Sequence, residues 1–299
     1  MPKNTMIDEI SRRVETLSYW QQPILSAPLE GGITNRNFRV KHGDETFFVR
    51  LGEDIPVHGV YRFNELAASR AAHAAGLSPE VVHAEPGALV LRFIEGQTLN
   101  AAEVRNPKRL LTLVDLLKTC HHEMPKHLPG TALTFWVFQV IRGYAKTLRE
   151  GESRMVPVLP RFLEINSALE HTVGAIELVF GHNDLLAGNF IDDGKRLWLI
   201  DWDYAGFNSP LFDLANLTSN NEFSEKQEHT LLEEYFESRT DKDLWRRYHA
   251  MKCASLLREA MWGMVSEIHS ELDFDFVKYT AENLERFEKA HTHFLENIA

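Results

Sequence analysis

Apolar and polar positions alternate through much of the first hundred residues, and beyond that point apolar residues recur at helical spacing. Near the start, Ile7, Ile10, Val14 and Leu17 fall at helical intervals, which predicts a short amphipathic helix over 7–18. Strands are predicted at 23–29, 37–41 and 46–51, the last two joined across Gly43-Asp44, a pair suited to a hairpin turn. An alanine-rich stretch at 62–75 favours helix and is stopped by Gly76 and Pro79. Short β runs follow at 80–84 and 88–93. Asn106 then reads as a helix cap with Pro107 at the first helical position, and Leu110, Val114 and Leu117 share one face. Phe135, Phe138, Ile141, Ala145 and Leu148 mark a second long helix, and 162–176 a third. A β island at 178–180 and 196–200 interrupts the helices, which resume at 224–239, 243–268 and 275–297. The pattern predicts an α+β chain: a small β-rich lobe over 1–95 and a larger, mainly helical lobe over 96–299, joined near 92–96.

Composition narrows the function classes. The 299 residues carry 43 acidic and 32 basic side chains, a net charge of −11, which argues against general nucleic-acid binding. No apolar run approaches the roughly 18 residues needed to cross a bilayer, so no membrane insertion is expected. The first residues are too polar and acidic for a secretory or organellar signal, and two cysteines, Cys120 and Cys253, make neither a disulfide framework nor a zinc site alone. A cytoplasmic location is the expectation. No repeat period or low-complexity tract is visible.

The chemistry concentrates between residues 180 and 213. In Gly181-His182-Asn183-Asp184-Leu185-Leu186-Ala187-Gly188-Asn189 a carboxylate precedes an amide by five positions, and an apolar strand then delivers Asp201. Phosphoryl transfer from ATP needs one group to orient the acceptor hydroxyl and take its proton, and oxygen ligands to hold Mg²⁺ on the phosphates. Asp184 suits the first task, Asn189 and Asp201 the second. A lone aspartate in a loop is more often a turn former. The joint context, a motif between two apolar strands with a nucleotide-sized β lobe upstream, favours the catalytic reading.

Four segments carry a resemblance that covers about residues 24 to 290: GGITNRNF at 31–38, FVRL at 48–51, GHNDLLAGNF at 181–190 and LIDWDYAGFNSPLFDLANL at 199–217. In these the chain resembles the choline/ethanolamine kinase family, within the wider group of aminoglycoside-phosphotransferase-like and protein-kinase-like folds. The resemblance implies a two-lobe protein-kinase-like fold, a small antiparallel sheet followed by a helical lobe, with ATP and Mg²⁺ as cofactors. Gly31, Gly32, Thr34 and Asn35 would then cover the ATP phosphates, since glycine lets backbone N–H groups approach them closely. Arg50 stands where protein kinases place a lysine and would pair with phosphate oxygens, with Glu65 in the next helix holding it. Arg92 and Ile94, in the 91–94 hinge, would sit against adenine. His182 would brace the loop rather than react, and Asp213 would support it from below.

Only eight residues separate Asp201 from Pro210, too few for the activation segment and peptide platform of a protein kinase, so the acceptor is expected to be a small alcohol. An ammonium is recognised by aromatic faces and carboxylates. Tyr204, Phe207, Trp262 and Tyr279 are the candidate rings, with Asp203 and Glu259 as acids beside Asp184. Choline kinases tend to carry two tryptophans three apart in the late helix. Here Glu259 and Trp262 stand in those positions, and Asn220 replaces an acid that often follows the FDxxN segment. Fewer rings and an added carboxylate leave ethanolamine open beside choline. Other acceptors (an aminoglycoside, thiamine, a methylthioribose-like sugar, homoserine) stay open, as does a nucleotide-binding protein that transfers nothing.

Overall fold

The computed structural model describes residues 12–29 and 35–298. Its N-terminal part is a five-stranded antiparallel sheet in the order β1-β2-β3-β5-β4, built from β1 (Leu25–Leu29), β2 (Arg36–His42), β3 (Glu45–Leu51), β4 (Val81–Glu85) and β5 (Ala88–Arg92). The β2–β3 hairpin turns at Gly43-Asp44, where Gly43 has φ 62°, a conformation most side chains resist. Alternate residues of these strands, Phe38, Val40, Phe47, Val49 and Val90, point inward onto Val14 and Leu17. The predicted 7–18 helix lies partly outside the described residues. Within them, 12–15 are helical and 16 is already a turn.

Helix α1 (Arg62–Ala74) packs beside the sheet, as the alanine content implies, and the chain leaves it through Gly76 at φ 79°. After Arg92 the chain crosses quickly. Gln97–Thr98 (β6) already pairs with β8 (Phe190–Asp192), which pairs in turn with β9 (Leu197–Leu199). Gly96 permits the crossing, because a Cβ there would sit 2.7 Å from the Asp192 carbonyl oxygen. The helical part contains α2 (Ala101–Val104), α3 (Leu110–His122), α4 (Val137–Glu150), α5 (Leu159–Val173), α6 (Pro210–Asn220), α7 (Glu225–Phe236), α8 (Lys242–His269) and α9 (Phe276–Asn297). Helix α5 starts and stops three residues before the predicted 162–176. Pro160 is tolerated in a first turn, and Gly174, at φ 63°, ends the helix. A second small sheet pairs β7 (Val179–Gly181) with β10 (Gly206–Asn208).

Helix α8 is the axis of the helical part. From Tyr248 to Ser266 nearly every side chain is buried, and α4, α5, α6 and α9 surround it. A helix buried on all sides contributes most of its stabilisation through burial, about 1.5–3 kcal/mol for each large apolar side chain. Charged side chains inside it therefore stand out, and it carries two, Arg258 and Glu259.

Candidate active site

The loop after β7 is held in place by helix α6. Asp213, buried, accepts hydrogen bonds from the backbone N–H groups of His182 and Asn183, each at 2.8 Å, and lies 3.0 Å from His121 Nε2. Burial alone would raise the Asp213 carboxyl, but His121 and these donors hold it below the usual carboxylate range. Asn216 Oδ1 accepts from the Leu185 N–H at 2.6 Å, and Asn221 Nδ2 donates to the Leu185 carbonyl at 3.0 Å. Asn183 takes φ 67°, and its side-chain amide donates to the carbonyls of Tyr204 and Gly206 at 2.9 and 3.1 Å. Gly181 has to be glycine, since a Cβ would meet Asn183 Oδ1 at 2.8 Å and Asp213 Oδ2 at 3.1 Å. His182 Nε2 faces the Ile200 carbonyl at 2.9 Å while Nδ1 receives the Asp184 N–H at 3.3 Å. That pairing fits the neutral ring protonated on Nε2, and burial lowers its pKa in the same direction.

This scaffold presents Asp184 to a cleft of about 550 Å³ whose lining includes Asn189, Asp201, Arg50, Glu65, Tyr204, Glu259, Trp262 and Tyr279. Asp184 is pushed upward, first by burial and further by Glu259, Asp201 and Asp203, against the pull of Arg258. Asn189 spends its amide N–H on the Asp184 backbone carbonyl at 2.8 Å, which leaves Oδ1 as its remaining coordinating atom. Asp201 takes the left-handed conformation, φ 69°, uncommon outside glycine and frequent at functional sites. Burial and neighbouring Asp203 raise its carboxyl as well. Among the described residues no cluster of three or more His, Cys, Asp or Glu side chains could hold a metal by itself. A pair of hard oxygen donors, one on a carboxylate whose charge is poorly compensated, fits a magnesium ion completed by phosphate and water.

On the β-sheet side, Arg50 is buried and forms ion pairs with Glu65 and, at 2.7 Å, with Asp203. Arg62 bridges Glu65 at 3.0 Å and Asp203 at 2.8 Å, and Asn35 Nδ2 donates to Asp203 at 3.0 Å. Asn64 fixes the same helix turn to the 201–206 loop through the Ala205 carbonyl at 2.8 Å. Asp203 requires a correction. The sequence places it with the acceptor, but its carboxylate faces Arg50 and Arg62, whose positive charge holds it low despite burial, and it also accepts from the neutral Asn35 amide. Arg92 and Ile94 line the same cleft, and the Arg92 guanidinium pairs with Glu45 and Glu80. Gly31, Gly32 and Thr34 lie outside the described residues.

At the opposite end, Trp262 Nε1 donates to the Tyr204 hydroxyl at 2.9 Å, and Trp262 and Tyr279 meet edge to face at 5.6 Å. Phe207 packs on Phe180 instead. The Glu259 carboxylate is engaged by Arg258 at 2.7 Å and by the Tyr279 hydroxyl, so it is not the bare acid the sequence implies. Arg62, Arg258 and His58, which stacks on Trp262 at 5.1 Å, escaped the sequence reading. Arg62 carried a signal, since it shares a helix face with Glu65 three residues on.

Residues 27–288 match the family model described as choline/ethanolamine kinase. A probable ethanolamine kinase of Arabidopsis thaliana is 25% identical, over 84% of this chain and 75% of its own length. A choline/ethanolamine kinase family protein from Mesorhizobium loti superposes with a TM-score of 0.71 at 27% identity, over 95% of this chain and 94% of that one. Choline kinase LicA from Streptococcus pneumoniae superposes at 0.76 with 22% identity, over 95% and 99%, and a structure of LicA has been solved in complex with AMP.

Proposed function

Because the chain belongs to the choline/ethanolamine kinase family and is a small-molecule kinase, we propose that it transfers the γ-phosphoryl group of ATP to the hydroxyl of a small amino alcohol, choline or ethanolamine. The observation that carries the reading is the placement of Asp184 in one cleft with Asn189, Asp201 and Arg50 as well as with the rings Tyr204, Trp262 and Tyr279. A carboxylate whose proton affinity is raised by burial is suited to accept the proton of an acceptor hydroxyl. Asn189 and Asp201 would hold Mg²⁺, which when bound neutralises phosphate charge and orients the transferring group. Arg50, fixed by Glu65 and Asp203, would offer a planar cation to the donor phosphates, and the 91–94 segment, which lines the cleft, would lie against the base. The Trp262 and Tyr279 faces supply the quadrupole that attracts an ammonium.

An ADP-release assay with Mg-ATP and choline, ethanolamine, thiamine or an aminoglycoside tests this directly. Acceptor-dependent ADP release is expected with choline or ethanolamine. Release only with thiamine or the aminoglycoside, or with no acceptor at all, would refute the assignment.

A further inference from the structure

Arg258 lies in the middle of the buried stretch of helix α8, 2% exposed, and nothing in the proposed chemistry needs it. Its guanidinium carbon sits 4.4 Å from the centre of the Tyr204 ring and 5.6 Å from that of Phe135, while Nη1 donates to Glu259 at 2.7 Å. Aromatic faces closed by a carboxylate form the kind of box that binds a cation. Here a side chain of the protein already occupies part of it. Burial works against the charge on Arg258, but Glu259, Tyr144, Tyr204 and Asp184 more than offset this, so the guanidinium stays protonated. Both Glu259 and Tyr204 line the acceptor end of the cleft, and so does Arg258. An incoming ammonium therefore meets Trp262, Tyr279 and the rest of Tyr204, with a fixed positive charge beside them and a carboxylate already neutralised.

We propose that Arg258 is a specificity-determining residue, a resident cation that cancels Glu259 and weakens the hold of the pocket on positively charged acceptors. The inference rests on the reading of this end of the cleft as the amino-alcohol site. Two unit charges roughly 6–10 Å apart in a partly hydrated site interact by about the energy that changes affinity ten-fold. Arg258→Met, which keeps the length and loses the charge, is thus expected to tighten choline binding on the order of ten-fold. Glu259→Gln leaves Arg258 unopposed and should weaken binding by a similar factor. The double variant, with the original net charge, should return close to the parent.

Binding is measured by calorimetry on the intact chain, with choline and with its uncharged isostere in which carbon replaces the quaternary nitrogen. The isostere should bind all four proteins alike, since only charge has changed. A merely structural Arg258 would weaken both ligands together and leave the double variant impaired. That result, or no gain for choline in Arg258→Met, or no choline binding by any of the four, would overturn the proposal. Turnover is scored separately, so a failure of the amino-alcohol assignment shows as absent phosphorylation by the parent, while the charge dependence of binding is read independently.

Discussion

Asp213 offers the sharpest test of how the catalytic loop is held. Three donors converge on one buried carboxylate: the N–H groups of His182 and Asn183 at 2.8 Å each and the His121 ring at 3.0 Å. With Nε2 directed at Asp213, His121 Nδ1 accepts from the Tyr235 hydroxyl at 2.6 Å, so the network reaches α7. Asp213→Asn keeps the shape but replaces one acceptor oxygen by a donor, so one backbone N–H loses its partner and faces another N–H. A hydrogen bond to a charged group contributes about 1.5–3 kcal/mol, and a stranded buried donor costs a further 1–3 kcal/mol or so. The sum, about 2.5–6 kcal/mol, brackets the roughly 3–5 kcal/mol usual for breaking a buried charged contact. Urea unfolding followed by circular dichroism at pH 7 should show that loss. The pH dependence carries its own sign. The folded carboxyl lies below its unfolded value of about 3.9, so its contribution is complete above that pH and vanishes as pH falls through the folded value. The gap between parent and variant should therefore hold from pH 7 to about 5 and close below about 4. A variant within about 1 kcal/mol of the parent at pH 7, or a gap that persists in acid, would show that the Asp213 carboxylate does not hold the loop.

Further outcomes follow from the same geometry. Asp184→Asn should cut turnover at least ~10²-fold while nucleotide affinity stays nearly unchanged, read by ADP release beside calorimetry, and near-normal turnover would remove its role as base. Asp201→Ala should abolish the Mg²⁺ dependence of nucleotide affinity, which titration with and without the ion would reveal. Gly181→Ala should cost about 1–3 kcal/mol and lower kcat, because its Cβ collides with the side chains that set the loop; an unchanged kcat would contradict the clash. His58 and His249 are both buried, with pKa values lowered to about 3 by burial first, so the unfolded chain binds protons that the folded one refuses. Stability should fall as pH drops below about 6.5, and His249→Gln should flatten the urea midpoint between pH 7 and 5.

Much of the architecture was readable from periodicity alone. The strands of the N-terminal sheet and the long helices α8 and α9 fall within a residue or two of their predicted bounds; α9 repeats its amphipathic signal over its whole length, whereas α8, buried around most of its circumference, shows no such period. Strands β8 and β10, three residues each, are too short to show a period and gain their hydrogen bonds from distant partners. The spacing of Asp184, Asn189 and Asp201 marked one lip of the cleft. The charge network was harder to see. Arg50 and Asp203 are 153 residues apart, so nothing local reveals that Asp203 pairs with the arginines. Glu259 was legible as an acid of the acceptor site, but nothing local marks the adjacent Arg258, and only the burial of the middle of α8 makes it a cation within the pocket.

Asp184, Asn189 and Asp201 are proposed to act together on one magnesium-bound nucleotide and one alcohol. A crystal structure with Mg²⁺, a non-hydrolysable ATP analogue and choline or ethanolamine tests it most directly. Asn189 Oδ1 and Asp201 are expected on the same ion at about 2.0–2.1 Å, and the acceptor hydroxyl within hydrogen-bond reach of Asp184, with its nitrogen against Trp262 and Tyr279. An ion bound away from Asn189 and Asp201, or an acceptor whose hydroxyl points away from Asp184, would contradict it.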